Sequence, residues 1–175
     1  AGASLEHGHS QLIALPMVPK NVIEELNGAN RFMGFHNRCI FCDIIRQEKS
    51  EAKRILFENT EFISFCPFFG RFPFEVWILP KNHMPHFEET SDEQFNSLAE
   101  VMIKVFSAYT DVFGYIPYNY IIHSTPFYYD KPDCYHWHIE IMPRLIQSAG
   151  FEWGSGFYIV PTSPELAAEI LKKGG

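Results

Sequence analysis

The sequence predicts an α+β fold, an antiparallel sheet covered by one long helix plus a C-terminal helix, and three observations point to it. Among 175 residues there are 17 Phe, 8 Tyr and 3 Trp, and flat rings pack well on a pleated surface covered on one side. Several short runs alternate apolar and polar residues with a period of two, the pattern of half-buried strands. One longer stretch, opening at Ser91, switches to helical spacing. A hydrophobic share of 46% with 20% charged residues supports a packed core.

Taken in order, Leu5, His7, His9, Gln11 and Ile13 share one face of an expected strand, which Pro16 and Pro19 end. Asn21 to Leu26 predicts a short helix closed by a turn at Asn27-Gly28. Arg54 to Phe65 and Phe74 to Leu79 predict β structure, joined by a broad connection through Pro67, Gly70 and Pro73. Ser91-Asp92-Glu93-Gln94 is a capping-box signature. Phe95, Leu98, Met102, Val105, Phe106 and Tyr109 follow it at helical spacing, and Gly114 stops them. Tyr118 to His123 predicts a strand. In the next, Cys134 to Met142, Cys134, His136, His138 and Glu140 alternate with Tyr135, Trp137, Ile139 and Ile141. Ser163-Pro164-Glu165 starts the last helix, with Gly174 as its stop. Two of these strands carry His-x-His, which hints at a duplicated unit.

A net charge of -7 argues against a nucleic-acid partner held by a basic surface. The absence of an apolar run of about 18 residues, or of a basic-then-apolar leader, predicts a cytoplasmic protein with no membrane partner. In a reducing compartment Cys39-Ile-Phe-Cys42 suits a metal clip better than a disulfide, and Cys66 and Cys134 read as packed thiols.

Three groups carry chemistry. Cys39 and Cys42 offer zinc two thiolates, and His83, just beyond a strand end, and His136, on a strand face, supply the other two ligands, with His86 and His138 as rivals. The plain alternative is buried cysteines and hydrogen-bonded histidines. His136, His138 and Glu140, with His123 on a neighbouring strand, form a second polar face. Burying such groups unpaired costs a few kcal/mol each, so the face implies a ligand or metal, or else it is solvated. The third group is His7, His9 and Gln11. A histidine that attacks phosphorus needs one ring nitrogen free and the other fixed by an acceptor, and a glutamine two residues on can bind a phosphoryl oxygen. Solvated strand residues would show the same alternation.

Gly2-Ala3-Ser4-Leu5-Glu6-His7-Gly8-His9-Ser10-Gln11 resembles the active-site strand of the galactose-1-phosphate uridylyltransferase family, a branch of the histidine-triad superfamily. The segments Arg71 to Lys81, Tyr135-His136-Trp137-His138 and Gly150-Phe151-Glu152 resemble parts of that family's second half, in the same order. The resemblance implies two tandem histidine-triad-like domains with half-barrel sheets, residues 1–30 ending the first and residues 31–175 forming the second. It implies that His9 is the nucleotidylated histidine, that Ser4 and Gln11 contact phosphate, that Glu152 contacts sugar hydroxyls, and that His7 is a zinc ligand of the first domain. Cys39, Cys42, His83 and His136 match a second-domain zinc site. Glu25, His123 and His138 match a second metal site, such as iron, with Glu140 where a further histidine sits. Gly8 stands where the family usually has proline.

The implied activity exchanges UMP between UDP-hexose and hexose 1-phosphate through a nucleotidyl-histidine. The chain alone is expected to be inactive without the first domain's base and ribose pocket, and the partners are nucleotide-sugar and sugar-phosphate substrates, that missing first domain, and a second copy in a homodimer. The alternatives are a phosphorylase of ADP-glucose or a dinucleoside polyphosphate, or a non-catalytic zinc-stabilised docking module.

Overall fold

The computed structural model describes residues 7–174. Five strands, β1 (Ile55–Glu58), β2 (Phe62–Phe65), β3 (Val76–Pro80), β4 (Tyr118–His123) and β5 (His138–Pro143), make one antiparallel sheet. Their spatial order is β1-β2-β3-β5-β4. Five helices surround it: α1 (Lys20–His36), α2 (Ile40–Glu51), α3 (Asp92–Phe113), α4 (Gly150–Ser155) and α5 (Pro164–Gly174). The expected α+β class, with its long and C-terminal helices, is what the chain adopts.

The long helix starts where its sequence says it should. Ser91 Oγ accepts the Gln94 backbone N–H at 3.3 Å and Gln94 Oε1 accepts that of Ser91 at 3.0 Å, so two otherwise orphaned donors are satisfied. Leu98, Val101, Val105 and Ala108 of α3, with Ala167, Ala168 and Leu171 of α5, bury one face of the sheet over Phe62, Val76, Ile78, Trp137, Ile139 and Ile141. The opposite face is covered too: Leu26 and Ala29 of α1 and Phe41 and Ile45 of α2 pack with Ile63, Phe65, Leu79 and Tyr135. Side chains enclosed on this second face are cut off from water, which is what gives its polar groups their chemistry.

Four local expectations are corrected. Residues 7–15 form no strand, and Leu12 and Ile13 stay 96% and 72% exposed. Alternation alone does not make a strand without a neighbour to bond. The short helix at Asn21 is instead the 17-residue α1, which runs through Asn27-Gly28 because burying Leu26 and Ala29 outweighs the roughly 1 kcal/mol that a helical glycine costs. Arg54 to Phe65 splits into β1 and β2 at Asn59, whose side-chain oxygen accepts the backbone N–H groups of Glu61 and Phe62. The strand expected from Cys134 begins only at His138, after a 3-10 turn at Pro132–Cys134. Tyr135 therefore packs with Cys134 in the second cluster rather than beside Trp137.

Candidate functional site

Helix α2, which the sequence reading missed, sets up the first cluster. Cys39 is its N-cap residue and Cys42 lies in its first turn, so both sulfurs sit at one helix end. His83 follows β3 and His136 precedes β5. The four donor atoms all lie within 4.8 Å of one another, with Cys42 Sγ 3.4 Å from His83 Nδ1 and 3.6 Å from His136 Nδ1. His136 Nε2–H donates to the Pro80 carbonyl at 2.9 Å, and this leaves Nδ1 free as a ligand. Of the rivals considered for this group, His86 instead faces Glu88 at 3.5 Å and His138 belongs to the other cluster.

Electrostatics within the group hold two of its four members, Cys42 and His136, towards the forms that ligate a metal. The hydrogen bond between the thiols pushes Cys39 up and holds Cys42 down to about 7. Burial pushes His136 down, which keeps it neutral, while the contact with Cys39 raises His83. A thiolate and a neutral imidazole are the forms that ligate. All four cysteines of the chain are free thiols, and Cys66 and Cys134 are buried as expected.

The second cluster lies under α1. Glu25 reaches from the helix to His123 of β4 and His138 of β5, whose registers place the two histidines side by side. His123 Nδ1 is 2.9 Å from Glu25 Oε2, and His138 Nε2 is 3.2 Å from Glu25 Oε1. His138 is fully buried between the Trp77 and His123 rings, its Nδ1–H donating to the His136 carbonyl at 3.1 Å. Glu140, 4% exposed, closes the other side 3.3 Å from His123 Nε2. The solvated-face alternative does not hold, because α1 and α2 cover these residues.

Burial works against every charge here, but the ionic contacts outweigh it. His123 is pushed up to about 9 by Glu140 and Glu25, while the histidines hold Glu25 well below the usual carboxylate range and His123 and Arg71 lower Glu140. Arg71 and Glu75 were not singled out by sequence reasoning. Arg71 pairs with Glu140, and Glu75 accepts backbone N–H bonds from Arg71 and Phe72 and the Trp77 indole N–H. Their four-residue spacing in Arg71-Phe-Pro-Phe-Glu75, between two apolar strands, was the available signal.

The remaining candidates stand apart from both clusters. His9 and Gln11 are exposed; His9 Nδ1–H donates to the His7 carbonyl at 2.8 Å, and the Gln11 amide donates to His9 Nε2 at 3.3 Å. The contact of His9 with the His7 carbonyl has the same form as that of His138 with His136, so the two His-x-His segments share a local geometry as well as a pattern. Ser10 bonds the Tyr120 hydroxyl and thereby lays this segment against the β4 edge. Glu152, in the first turn of α4, accepts the Ala149 N–H and lines an open cleft of about 310 Å³ with Phe72, Arg144, Gln147, Trp153 and Tyr158. Ser4 lies outside the described residues.

Residues 25–169 match the family model described as galactose-1-phosphate uridyl transferase, C-terminal domain. The chain belongs to this family. Among curated members it is 34% identical to an ADP-glucose phosphorylase of Arabidopsis thaliana, over 99% of this chain and 48% of that protein. It is 32% identical to the galactose-1-phosphate uridylyltransferase of Thermotoga maritima, over 98% of this chain and 56% of that one. The chain thus spans about half the length of these galactose-1-phosphate uridylyltransferase family relatives. A solved uridylyltransferase superposes with a TM-score of 0.91 at 34% identity, covering 99% of this chain and 56% of the other. The Arabidopsis ADP-glucose phosphorylase with bound ADP-glucose gives 0.89 at 33%, covering 99% and 56%. A zinc-bound histidine-triad protein of Mycobacterium smegmatis, 19% identical with a TM-score of 0.53 over 78% of this chain and 91% of the other, shares the fold. Among the described residues no helix is long and apolar enough to cross a membrane.

Proposed function

We propose that this chain is the second half of a cytoplasmic nucleotidyltransferase that exchanges UMP between UDP-hexose and hexose 1-phosphate, with His9 as nucleophile. The observation that carries the reading is the state of the His9 ring: Nδ1–H is committed to the His7 carbonyl, so the ring's lone pair is on Nε2, where it accepts the Gln11 amide and would be released when that amide turns to a phosphoryl oxygen. His9 Nε2 attacks the α-phosphorus. A P–N bond forms as the bond to the bridging oxygen breaks, and hexose 1-phosphate leaves with that electron pair. An oxygen of a second hexose 1-phosphate then displaces the imidazole. The Gln11 amide, with Ser4, steadies the non-bridging oxygens as charge builds, and Glu152 holds the sugar hydroxyls.

The base and ribose pocket is assigned to a first domain contributed by the rest of the protein, with residues 1–30 as that domain's end and residues 31–175 as the second domain. Zinc suits the thiolate cluster, where four ligands and no open position make a structural site tying α2 to β3 and β5. A second divalent ion suits Glu25, His123 and His138. Exposed apolar residues on β4, among them Ile121 and Ile122, suit docking of the first domain or of a second copy.

Identity of 34% to an ADP-glucose phosphorylase favours a second reading, in which phosphate is the acceptor and ADP-glucose the donor. Assaying the full-length protein with UDP-glucose and ADP-glucose, each with glucose 1-phosphate or phosphate, separates the two. Exchange into glucose 1-phosphate from UDP-glucose is the expected result. Phosphate-dependent release of ADP alone favours the second reading, and exchange at an unchanged rate in His9→Ala contradicts both.

A further inference from the structure

We propose that the recess between the β2–β3 connection and the start of α5 is a binding site for a small monocyclic aromatic molecule with one hydroxyl group, a phenol. Its volume is about 200 Å³, and Cys66, Phe68, Phe72, Phe74, Val160 and Ala167 line it. Protein interiors are packed as densely as organic crystals, so a void of this size is an exception. The backbone holds it open. Phe72-Pro73-Phe74-Glu75 closes a turn in which the Glu75 N–H donates to the Phe72 carbonyl at 3.2 Å, with Phe74 in the third place at φ 62°. After a proline, that place demands a positive φ and is usually glycine. Phenylalanine is held there against its backbone preference: the Tyr109 hydroxyl donates to the Phe74 carbonyl at 2.6 Å, and the Phe113 ring meets the Phe74 ring edge-on at 4.8 Å. Strain of this kind gathers at ligand clamps, and here it puts a ring on the cavity wall where glycine would put none.

Size and lining chemistry fix the ligand class. An apolar cavity of about 150 Å³ admits benzene, so this larger one takes a six-membered ring with a small substituent. Phenylalanine rings and a thiol suit the face and edge of such a ring. Burial pushes the Cys66 thiol up to about 12, so it stays protonated and the ligand is held without a covalent bond. Thr162 and Ser163 border the recess as well. Ser163 Oγ accepts the Leu166 N–H at 3.3 Å and keeps its own proton for the ligand's oxygen. Among the described residues that line the recess none is basic and Glu75 is acidic, so an anion is disfavoured. Phe72 serves a second surface: it also lines the Glu152 cleft, where its ring lies 5.4 Å from that of Tyr158. An occupant of the recess therefore presses on the wall of that cleft.

Phenol itself is the probe. The full-length protein is titrated with phenol in a calorimeter, and the aromatic resonances of Phe72 and Tyr158 are followed by NMR. One phenol binds per chain and shifts both rings, while benzoate, the same ring with a charged carboxylate, binds at least about tenfold more weakly. Two variants fill the recess from different sides, Ala167→Leu from α5 and Val160→Phe from the segment before it. Each weakens phenol binding at least about tenfold, and their urea midpoints stay at or above that of the wild type, because a filled cavity does not destabilise. Should one of them fold poorly, the other still decides. If the wild type takes up no phenol, or if the filled variants bind it as the wild type does, the site is overturned. Phenol uptake that leaves Phe72 and Tyr158 unshifted overturns the shared wall.

Discussion

Replacing Arg54 with Met strands a buried carboxylate. Arg54 is 3% exposed and donates to both oxygens of Glu48 at 3.0 and 3.1 Å, and Glu48 is itself 3% exposed. The guanidinium also reaches Glu165 of α5 at 2.7 Å and Glu51 at 3.0 Å, which ties α2, the start of β1 and α5 together. Glu51 and Glu165 are more than a third exposed, so their pairs add little. The magnitude therefore comes from Glu48, and losing the partner of a buried charge costs about 3–5 kcal/mol. At about 2–4 °C per kcal/mol for a chain of this size, Tm falls by about 6–20 °C. Urea unfolding at pH 7 checks the free energy.

The pH dependence has a definite sign. Burial already raises the Glu48 pKa with Arg54 present, and it rises further without it. A carboxyl whose folded pKa lies above its unfolded value gains stability as pH falls, so the deficit of Arg54→Met shrinks on acidification from pH 7 towards 5. Arg54→Met with Glu48→Met recovers most of the loss. A loss below about 1 kcal/mol, or a deficit that grows on acidification, refutes the argument.

Chelation with a strong thiol-compatible chelator, or Cys42→Ser, removes zinc from the first cluster and loosens α2 from the sheet, seen as lost protection of α2 amides in hydrogen exchange; His86→Ala leaves zinc content unchanged. Ser91→Ala destabilises the chain by about 1 kcal/mol in urea unfolding, since one half of the α3 capping box is lost. Gly8 has no atom within 4 Å of where a Cβ would stand, so Gly8→Ala is accommodated and stabilises the full-length protein by about 0.4–1 kcal/mol in urea unfolding, through the backbone freedom lost from the unfolded chain.

Features set by local chemistry were legible in the sequence. The Ser91 box, the spacing through Tyr109 and the stop at Gly114 each depend on neighbours a few residues away, and α3 follows them. Cys39, Cys42, His83 and His136 could be named as one set because their donor chemistry is restrictive, although their convergence depends on helix α2. That helix was hidden because the CxxC drew attention to a clip, while Phe41, Ile45 and Glu48, buried at helical spacing, carried the signal. The turn at Asn27-Gly28 misled for the opposite reason: a local preference of about 1 kcal/mol lost to tertiary burial. At Leu5 to Ile13 the period of two was present, but residues 7–13 have no partner strand. The role of Arg71 could not be read locally, since Glu140 lies sixty-nine residues away in the chain.

The most direct test of the account is capture of the covalent intermediate. The full-length protein is mixed with UDP-glucose labelled at the α-phosphorus, quenched in alkali where a phosphoramidate survives, digested and sequenced by mass spectrometry. The account predicts one UMP per chain on the peptide containing His9, released when glucose 1-phosphate is added before the quench. Label on any other residue, or steady exchange with His9 never modified, contradicts it.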